Sequence, residues 1–134
     1  MKLTILGQPI TKKNSQQIYM NKRTKKPFIT PSAKCKQYRR DFLIQALQFK
    51  PKQPIDSEIC ITALYYMPTK RRVDITNLMN ATHDLLQDAK IIADDSSKIV
   101  KSVDGTRVLY DKMNPRVEIV ISEYKDVKQC LKQK

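Results

Sequence analysis

The stretch KRRVDITNLMNATHDLLQDAKIIADDSSK, residues 70–98, predicts the central packing unit of this protein. From Asp74 to Lys90 its apolar residues recur at helical spacing, and at about 100° per residue they fall on a single arc. Such a stripe is the buried side of an amphipathic helix. The stripe consists of Ile75, Leu78, Met79, Leu85, Leu86 and Ala89.

One border of this helix carries an acidic column formed by Asp74, Asn77, Asp84 and Asp88. Like charges at such spacing repel by a few tenths of a kcal/mol per pair, and a bound cation would offset that repulsion. A simpler interpretation stays open, because Asp74 is also a good helix N-cap. Asp84 and Asp88 could equally pair with surface lysines.

The acidic column belongs to a protein whose formal net charge is +13. Residues 1–52 contain 13 Lys and Arg but one acid, a net charge of +12, which leaves +1 for residues 53–134. A segment this basic favours salt-sensitive, sequence-independent binding to nucleic acid. Carboxylates suit Mg²⁺, which keeps its remaining positions for water and phosphate. The combination favours a metal-dependent nuclease.

Composition excludes several other classes of protein. With two glycines, the chain contains no GxxxxGK[ST] or GxGxxG loop for nucleotide phosphates. Cys35, Cys60 and Cys130 form no CxxC pair, which disfavours both zinc and a disulfide framework. Free thiols favour a reducing, cytoplasmic location, and no signal peptide or membrane span is predicted. His83, the single histidine, is expected to be a surface residue rather than a ligand.

The 134 residues are expected to form one domain, of the α+β class. A mostly antiparallel sheet should carry two main helices on one face. We expect Ser32 to cap the first helix, which should turn Tyr38, Phe42, Leu43, Ala46 and Leu47 towards the core. The predicted elements are a strand at 2–6, a basic loop or hairpin at 11–27, a helix at 33–48, a strand at 57–67, a helix at 74–90, an antiparallel hairpin of strands 98–110 and 116–124, and a polar tail at 125–134.

Asp94 and Asp95 lie in a short connection after the second helix. Adjacent acids at such a junction gain significance only if the loop folds back towards Asp74. Lys98, three residues after Asp95, could neutralise charge in a transition state or be an ordinary surface lysine.

Several of these motifs together resemble the RusA-type Holliday junction resolvases of phages and prophages. They are D-I-T-N-L from Asp74, the preceding Lys70-Arg71-Arg72, A-D-D-S-S-K-I at 93–99, G-x-P-x-x-K-K at 7–13 and R-V-E-I-V-I at 116–121. The resemblance covers about residues 3 to 124, and its specificity comes from the ordered set rather than from any one motif.

The resemblance implies a homodimer that binds four-way DNA junctions and cuts them by paired nicks in recombination and repair. It implies Mg²⁺, with Mn²⁺ as a possible substitute, held by Asp74 and Asp95 with Asp94 adjacent. The family's D-x-D-N-L motif has Thr76 at its middle aspartate here, and a lysine one turn later is Asn80. A hydroxyl is a weaker Mg²⁺ ligand than a carboxylate, so catalysis is less firmly implied than fold and DNA binding.

The sequence thus predicts a set of site residues and leaves two rival functions open. The rivals are a branched-DNA- or RNA-binding protein whose active site has decayed, and a nuclease for other DNA structures. The expected site residues are Asp74, Thr76, Asp94, Asp95 and Lys98 for catalysis; Asp74, Asp84 and Asp95 for the metal; Lys12, Lys13, Lys70, Arg71 and Arg72 for DNA; and Asn77 in support.

Overall fold

The structure, a computed structural model, describes residues 1–11 and 16–125. Lys12, Lys13 and the polar tail from residue 126 onwards, with Cys130, lie outside the described residues. The strands are β1 (Lys2–Leu6), β2 (Gln16–Met20), β3 (Pro27–Pro31), β4 (Ile59–Met67), β5 (Val100–Ser102), β6 (Arg107–Tyr110) and β7 (Arg116–Glu123), and the helices are α1 (Ala33–Ala46) and α2 (Ile75–Asp88).

The main sheet is mixed, whereas the sequence predicted a mostly antiparallel one. Strand β7 pairs antiparallel with β1 on one side and with β4 on the other. Strands β5 and β6 both pair with β4 in the parallel direction and share its outer edge. The class, α+β, is as predicted, and the parallel pairs arise because the chain returns to β4 after α2.

The predicted hairpin between residues 98–110 and 116–124 is therefore wrong. Strands β6 and β7 lie on opposite sides of β4, and the connection at 111–115 passes the end of β4, where the Asp111 N–H donates to the Met67 carbonyl at 2.9 Å. The first of the two predicted strands is also interrupted by a turn at Gly105, whose φ of +83° favours glycine. The alternation of apolar and polar residues correctly predicted extended strands, but it could not identify which strands pair with each other.

Strands β2 and β3 form a separate two-stranded antiparallel sheet. The turn between them is closed by Asn21, whose carbonyl accepts from the Lys25 N–H at 2.8 Å and whose side-chain oxygen accepts from the Arg23 N–H at 2.9 Å. The described part of the predicted basic segment is thus a β-hairpin, and its turn carries the exposed Lys22, Arg23, Lys25 and Lys26.

Both helices cover the same face of the main sheet. Alternate residues of β4 are buried, from Ile59 to Met67, as the period of two in a strand requires. Helix α2 buries Leu78, Leu85 and Leu86 against this face, so most of the predicted apolar stripe is confirmed; Ile75 is 36% exposed. Thr82 is buried as well. Its hydroxyl is satisfied there by a hydrogen bond with the Tyr65 hydroxyl at 2.7 Å and by donating to the Leu78 carbonyl at 2.8 Å.

Helix α1 begins as the sequence predicted. The Ser32 hydroxyl accepts from the Cys35 N–H at 3.2 Å, which satisfies one of the unpaired donors of the first turn. Tyr38, Phe42 and Ala46 are buried as expected, but Leu47 is 66% exposed. The chain changes to a 3₁₀ turn at Leu47–Phe49. Leu47 faces solvent because it is nine residues from Tyr38, about 180° of helix rotation away from the buried stripe. None of the described helices is long and apolar enough to cross a membrane.

Candidate active site

A cleft of about 550 Å³ lies between α1 and α2 and opens to solvent. Three of the four members of the predicted acidic column face it, namely Asn77, Asp84 and Asp88. They come from one side of α2 because residues three, four and seven apart share a helix face. Asn80 lies on the same wall, at the position where the resemblance expects a lysine.

Asp95 joins this wall from the loop that follows α2. Its carboxylate is exposed and lines the cleft, so the loop does fold back towards the helix. His83 is half-buried on α2; burial lowers the pKa of its imidazole, and the negative charge of Asp95 opposes that effect. The expectation that His83 is a surface residue rather than a metal ligand stays a prediction.

Asp94 has a different environment from its neighbour. The Ser96 hydroxyl donates to an Asp94 carboxylate oxygen, and this hydrogen bond lowers the pKa of the carboxyl group. The charge of Lys98 contributes to the same lowering, and the Lys98 backbone N–H donates to the Ser96 hydroxyl at 3.4 Å, so Lys98 belongs to the same loop. Neither residue is among those that line the cleft. Asp94 therefore helps to shape the loop that presents Asp95.

Asp74 is the N-cap of α2, which was the simpler of the two interpretations left open by the sequence. Its Oδ1 accepts from the backbone N–H groups of Thr76 at 2.9 Å and Asn77 at 3.4 Å. The cap uses one oxygen of the carboxylate, so it is compatible with a second role for the other. Thr76 is exposed in the first turn of the helix.

Asp74 and Asp84 do not approach each other. They are ten residues apart on one helix, about 15 Å along its axis, because an α-helix rises about 1.5 Å per residue. A single ion held by Asp74, Asp84 and Asp95 together is therefore ruled out. Among the described residues, no group of three His, Cys, Asp or Glu side chains is arranged to hold a metal.

The donors present in the cleft nevertheless fit a hard divalent cation. Asp84 and Asp95 supply carboxylate oxygens, and Asn77 and Asn80 supply amide oxygens. Mg²⁺ is usually bound by one or two carboxylates together with water and phosphate oxygens, so a cage of three carboxylates is not required.

The opposite wall of the cleft is basic and was missed by the sequence analysis. It comes from α1, where Lys36 and Arg39 lie three residues apart and both line the cleft. Arg39 reaches across to form an ion pair with Asp88 on α2. The position of Arg39, next to Tyr38 and within one turn of Phe42, was the available signal, because it borders the buried stripe of α1.

The basic run before α2 lies on the protein surface. Arg71 and Arg72 are exposed, and the Lys70 ammonium sits 5.3 Å from the centroid of the Tyr110 ring. This cation–π contact ties the run to the end of β6. The side chains are accessible to a polyanion, as the predicted DNA contacts require.

An acidic wall thus faces a basic wall in a protein of net charge +13, and that excess of Lys and Arg favours binding to nucleic acid. The profile of the family described as Endodeoxyribonuclease RusA matches residues 7–122. The chain therefore belongs to the RusA endodeoxyribonuclease family, which implies action on Holliday junctions and binding to branched DNA. A search of curated proteins found no match.

Proposed function

We propose that this protein resolves four-way DNA junctions by paired phosphodiester hydrolysis that depends on a divalent metal. The observation that carries the proposal is the cleft, where Asp84, Asp88 and Asp95 face Lys36 and Arg39. Carboxylates on one wall suit a cation, while lysine and arginine on the other suit a phosphate.

Mg²⁺, or Mn²⁺ in its place, would be held by Asp95, which lines the cleft, and by Asp74, which the family motif adds and which lies one helical turn before the cleft residue Asn77. Asn77 and Thr76 would be neutral oxygen donors. When bound, such an ion polarises a phosphoryl oxygen and lowers the pKa of a bound water. Asp84 would add negative charge to the same wall. Asp94 and Lys98 would hold the loop that carries Asp95.

The chain's own cations would hold the DNA. Lys70, Arg71 and Arg72 are accessible beside α2, and Thr11, which lines the cleft, is followed directly by Lys12 and Lys13. Contacts of this kind fix the register of the protein on the backbone without reading sequence. A four-way junction presents two equivalent strands, so a two-fold homodimer would supply one site to each.

The direct test is cleavage of a labelled four-way junction beside linear duplex and single strand, with Mg²⁺, Mn²⁺ or EDTA. We expect metal-dependent paired nicks near the crossover and little cleavage of the linear substrates. Equal cleavage of duplex or single strand would favour the nuclease for other DNA structures. Sedimentation with and without junction tests the dimer.

Replacement of Asp74 by Asn separates its two roles. Asn caps a helix about as well as Asp, so we expect Asp74→Asn to change the unfolding free energy by less than about 0.5 kcal/mol. Loss of a metal-binding carboxylate should lower the rate of junction cleavage at least about tenfold. Thermal unfolding and single-turnover cleavage measure the two effects, and Asp74→Ala, which removes the cap as well, is the comparison. Parental cleavage by Asp74→Asn would remove Asp74 from the site.

The second candidate function is junction binding without cleavage, and Thr76 is the observation that favours it. Under this alternative the parent binds junctions but does not cut them in any metal. Since Thr76 is exposed in the first turn, where acids favour the helix dipole, Thr76→Asp should fold normally. If the missing carboxylate limits metal binding, we expect Thr76→Asp to cut junctions at least about tenfold above the background rate seen with the parent. Equal rates for Thr76→Asp and the parent would show that Thr76 is not the limiting feature.

A further inference from the structure

Arg39 is the basic residue that joins the two walls of the cleft. Its Nη1 donates to Asp88 Oδ2, and both side chains are close to half exposed, at 47% and 44%. The guanidinium is therefore held in the cleft but not withdrawn from solvent. Its neighbour Arg40 donates instead to Gln37 on its own helix and does not line the cleft.

The chemistry of the guanidinium allows more than one anion at a time. Arginine presents five N–H donors in a planar fork, and the contact with Asp88 is made through Nη1. A fork of this kind binds phosphate oxygens in bidentate fashion. Asp88 can thus orient the group while the fork binds a second anion in the cleft.

An ion pair that only ties α1 to α2 is the competing explanation. Exposed pairs of this type contribute little to stability. Asp88 is also poorly placed for the helix itself, because it is the last residue of α2, and a carboxylate there opposes the helix dipole. The positive charge of Arg39 offsets this unfavourable interaction of Asp88 with the helix dipole. Because the pair is exposed, the guanidinium stays available to a ligand.

We propose that Arg39 binds a backbone phosphate of the DNA strand that enters the cleft, and that Asp88 is the positioning residue that aims its guanidinium. The proposal rests on the proposed function, which supplies the DNA substrate. It places one side of the bound strand against α1. Arg39 then contacts DNA opposite the wall that carries Asp95.

The test measures junction affinity in EDTA over a series of salt concentrations, so that no cleavage is needed. We expect Arg39→Gln to weaken binding about tenfold, as for a lost hydrogen bond between charged groups. It should also reduce the magnitude of the slope of log K against log salt concentration by about 1, the change expected for the loss of one phosphate contact. The control is Arg40→Gln, which removes the same charge one residue away and should weaken binding less than about threefold with the same slope as the parent.

Asp88→Asn separates a phosphate contact from a structural tie. If Arg39 binds phosphate, Asp88→Asn should not weaken junction binding, because it removes a negative charge from the cleft. Single-turnover cleavage should nevertheless slow about tenfold, because the guanidinium of Arg39 is no longer held in position. Asp41→Asn is the matched control: its exposed carboxylate accepts from Gln37 on α1, outside the cleft, and it should leave the cleavage rate unchanged. Arg39→Lys should keep most of the affinity but restore less than half of the rate, because an ammonium group cannot serve both anions as a fork does.

Two results would overturn the proposal. One is an equal effect of Arg39→Gln and Arg40→Gln on affinity and salt slope. The other is parallel loss of binding by Arg39→Gln and Asp88→Asn, which is the behaviour of a purely structural pair. If the parent cuts no substrate in any metal, the proposed hydrolysis fails, but affinity and slope still decide whether Arg39 contacts phosphate.

Discussion

Asp95→Asn is expected to lower the rate of junction cleavage by at least about 100-fold while leaving junction affinity within about threefold of the parent. Asp95 is the carboxylate that the loop after α2 brings to the cleft. Asparagine keeps its size but loses the charge that would hold a divalent cation. Because the residue is exposed, the unfolding free energy should change by less than about 0.5 kcal/mol. Single-turnover cleavage, anisotropy and thermal unfolding measure the three quantities.

Two further variants make this result specific. Asp56→Asn removes an exposed carboxylate outside the cleft and should cut at the parental rate. Asp94→Asn should have a smaller effect than Asp95→Asn, because the Asp94 carboxylate is bonded to Ser96 within the loop. A rate for Asp95→Asn within threefold of the parent would exclude it as a metal ligand. A greater loss for Asp94→Asn would assign the role to Asp94 instead.

Phe42→Ala is expected to lower the unfolding free energy by about 3–5 kcal/mol, the usual cost of removing a fully buried phenylalanine. The Phe42 side chain is 0% exposed and packs edge-to-face on Tyr38, with ring centroids 6.1 Å apart. Domains of this size have about 5–15 kcal/mol of stability in total, so the variant should lose a large fraction of it. Urea denaturation followed by circular dichroism measures the loss.

The control for this prediction lies on the same helical segment. Leu47 was expected in the core but is 66% exposed, so Leu47→Ala should change stability by less than about 0.5 kcal/mol. If Leu47→Ala were as destabilising as Phe42→Ala, Leu47 would have to be buried, as the sequence predicted. A loss below about 1 kcal/mol for Phe42→Ala would contradict its central place in the core.

The sequence predicted helix α2 well because its signals are local. Asp74 at the N-cap and the apolar stripe ending near Ala89 both depend on residues within a few turns, and the structure has both features. The acidic column followed from the same periodicity. The family relationship was also recognisable, because its motifs around Asp74 and Asp95 are short and ordered along the chain.

Features that depend on distant residues could not be predicted in this way. Alternating residues in β6 and β7 indicate strands, but nothing in them reveals that β4 lies between the two. The difference between Asp94 and Asp95 depends on how one loop turns against α2. Arg39 was one of several arginines and lysines in the first 52 residues, and only the packing of α1 against α2 distinguishes it.

The pairing of β1 has a consequence for how the protein is made. Residues 2–6 find their main-sheet partner in β7, in a register that joins Lys2 to Val120 and Leu6 to Arg116. Contacts across so much of the chain are slow to form, because the intervening loop must be closed first. During synthesis β1 therefore waits for β7. A chain halted before residue 116 would leave β1 without its neighbour and one side of β4 open, so this sheet is completed only after β7 has emerged.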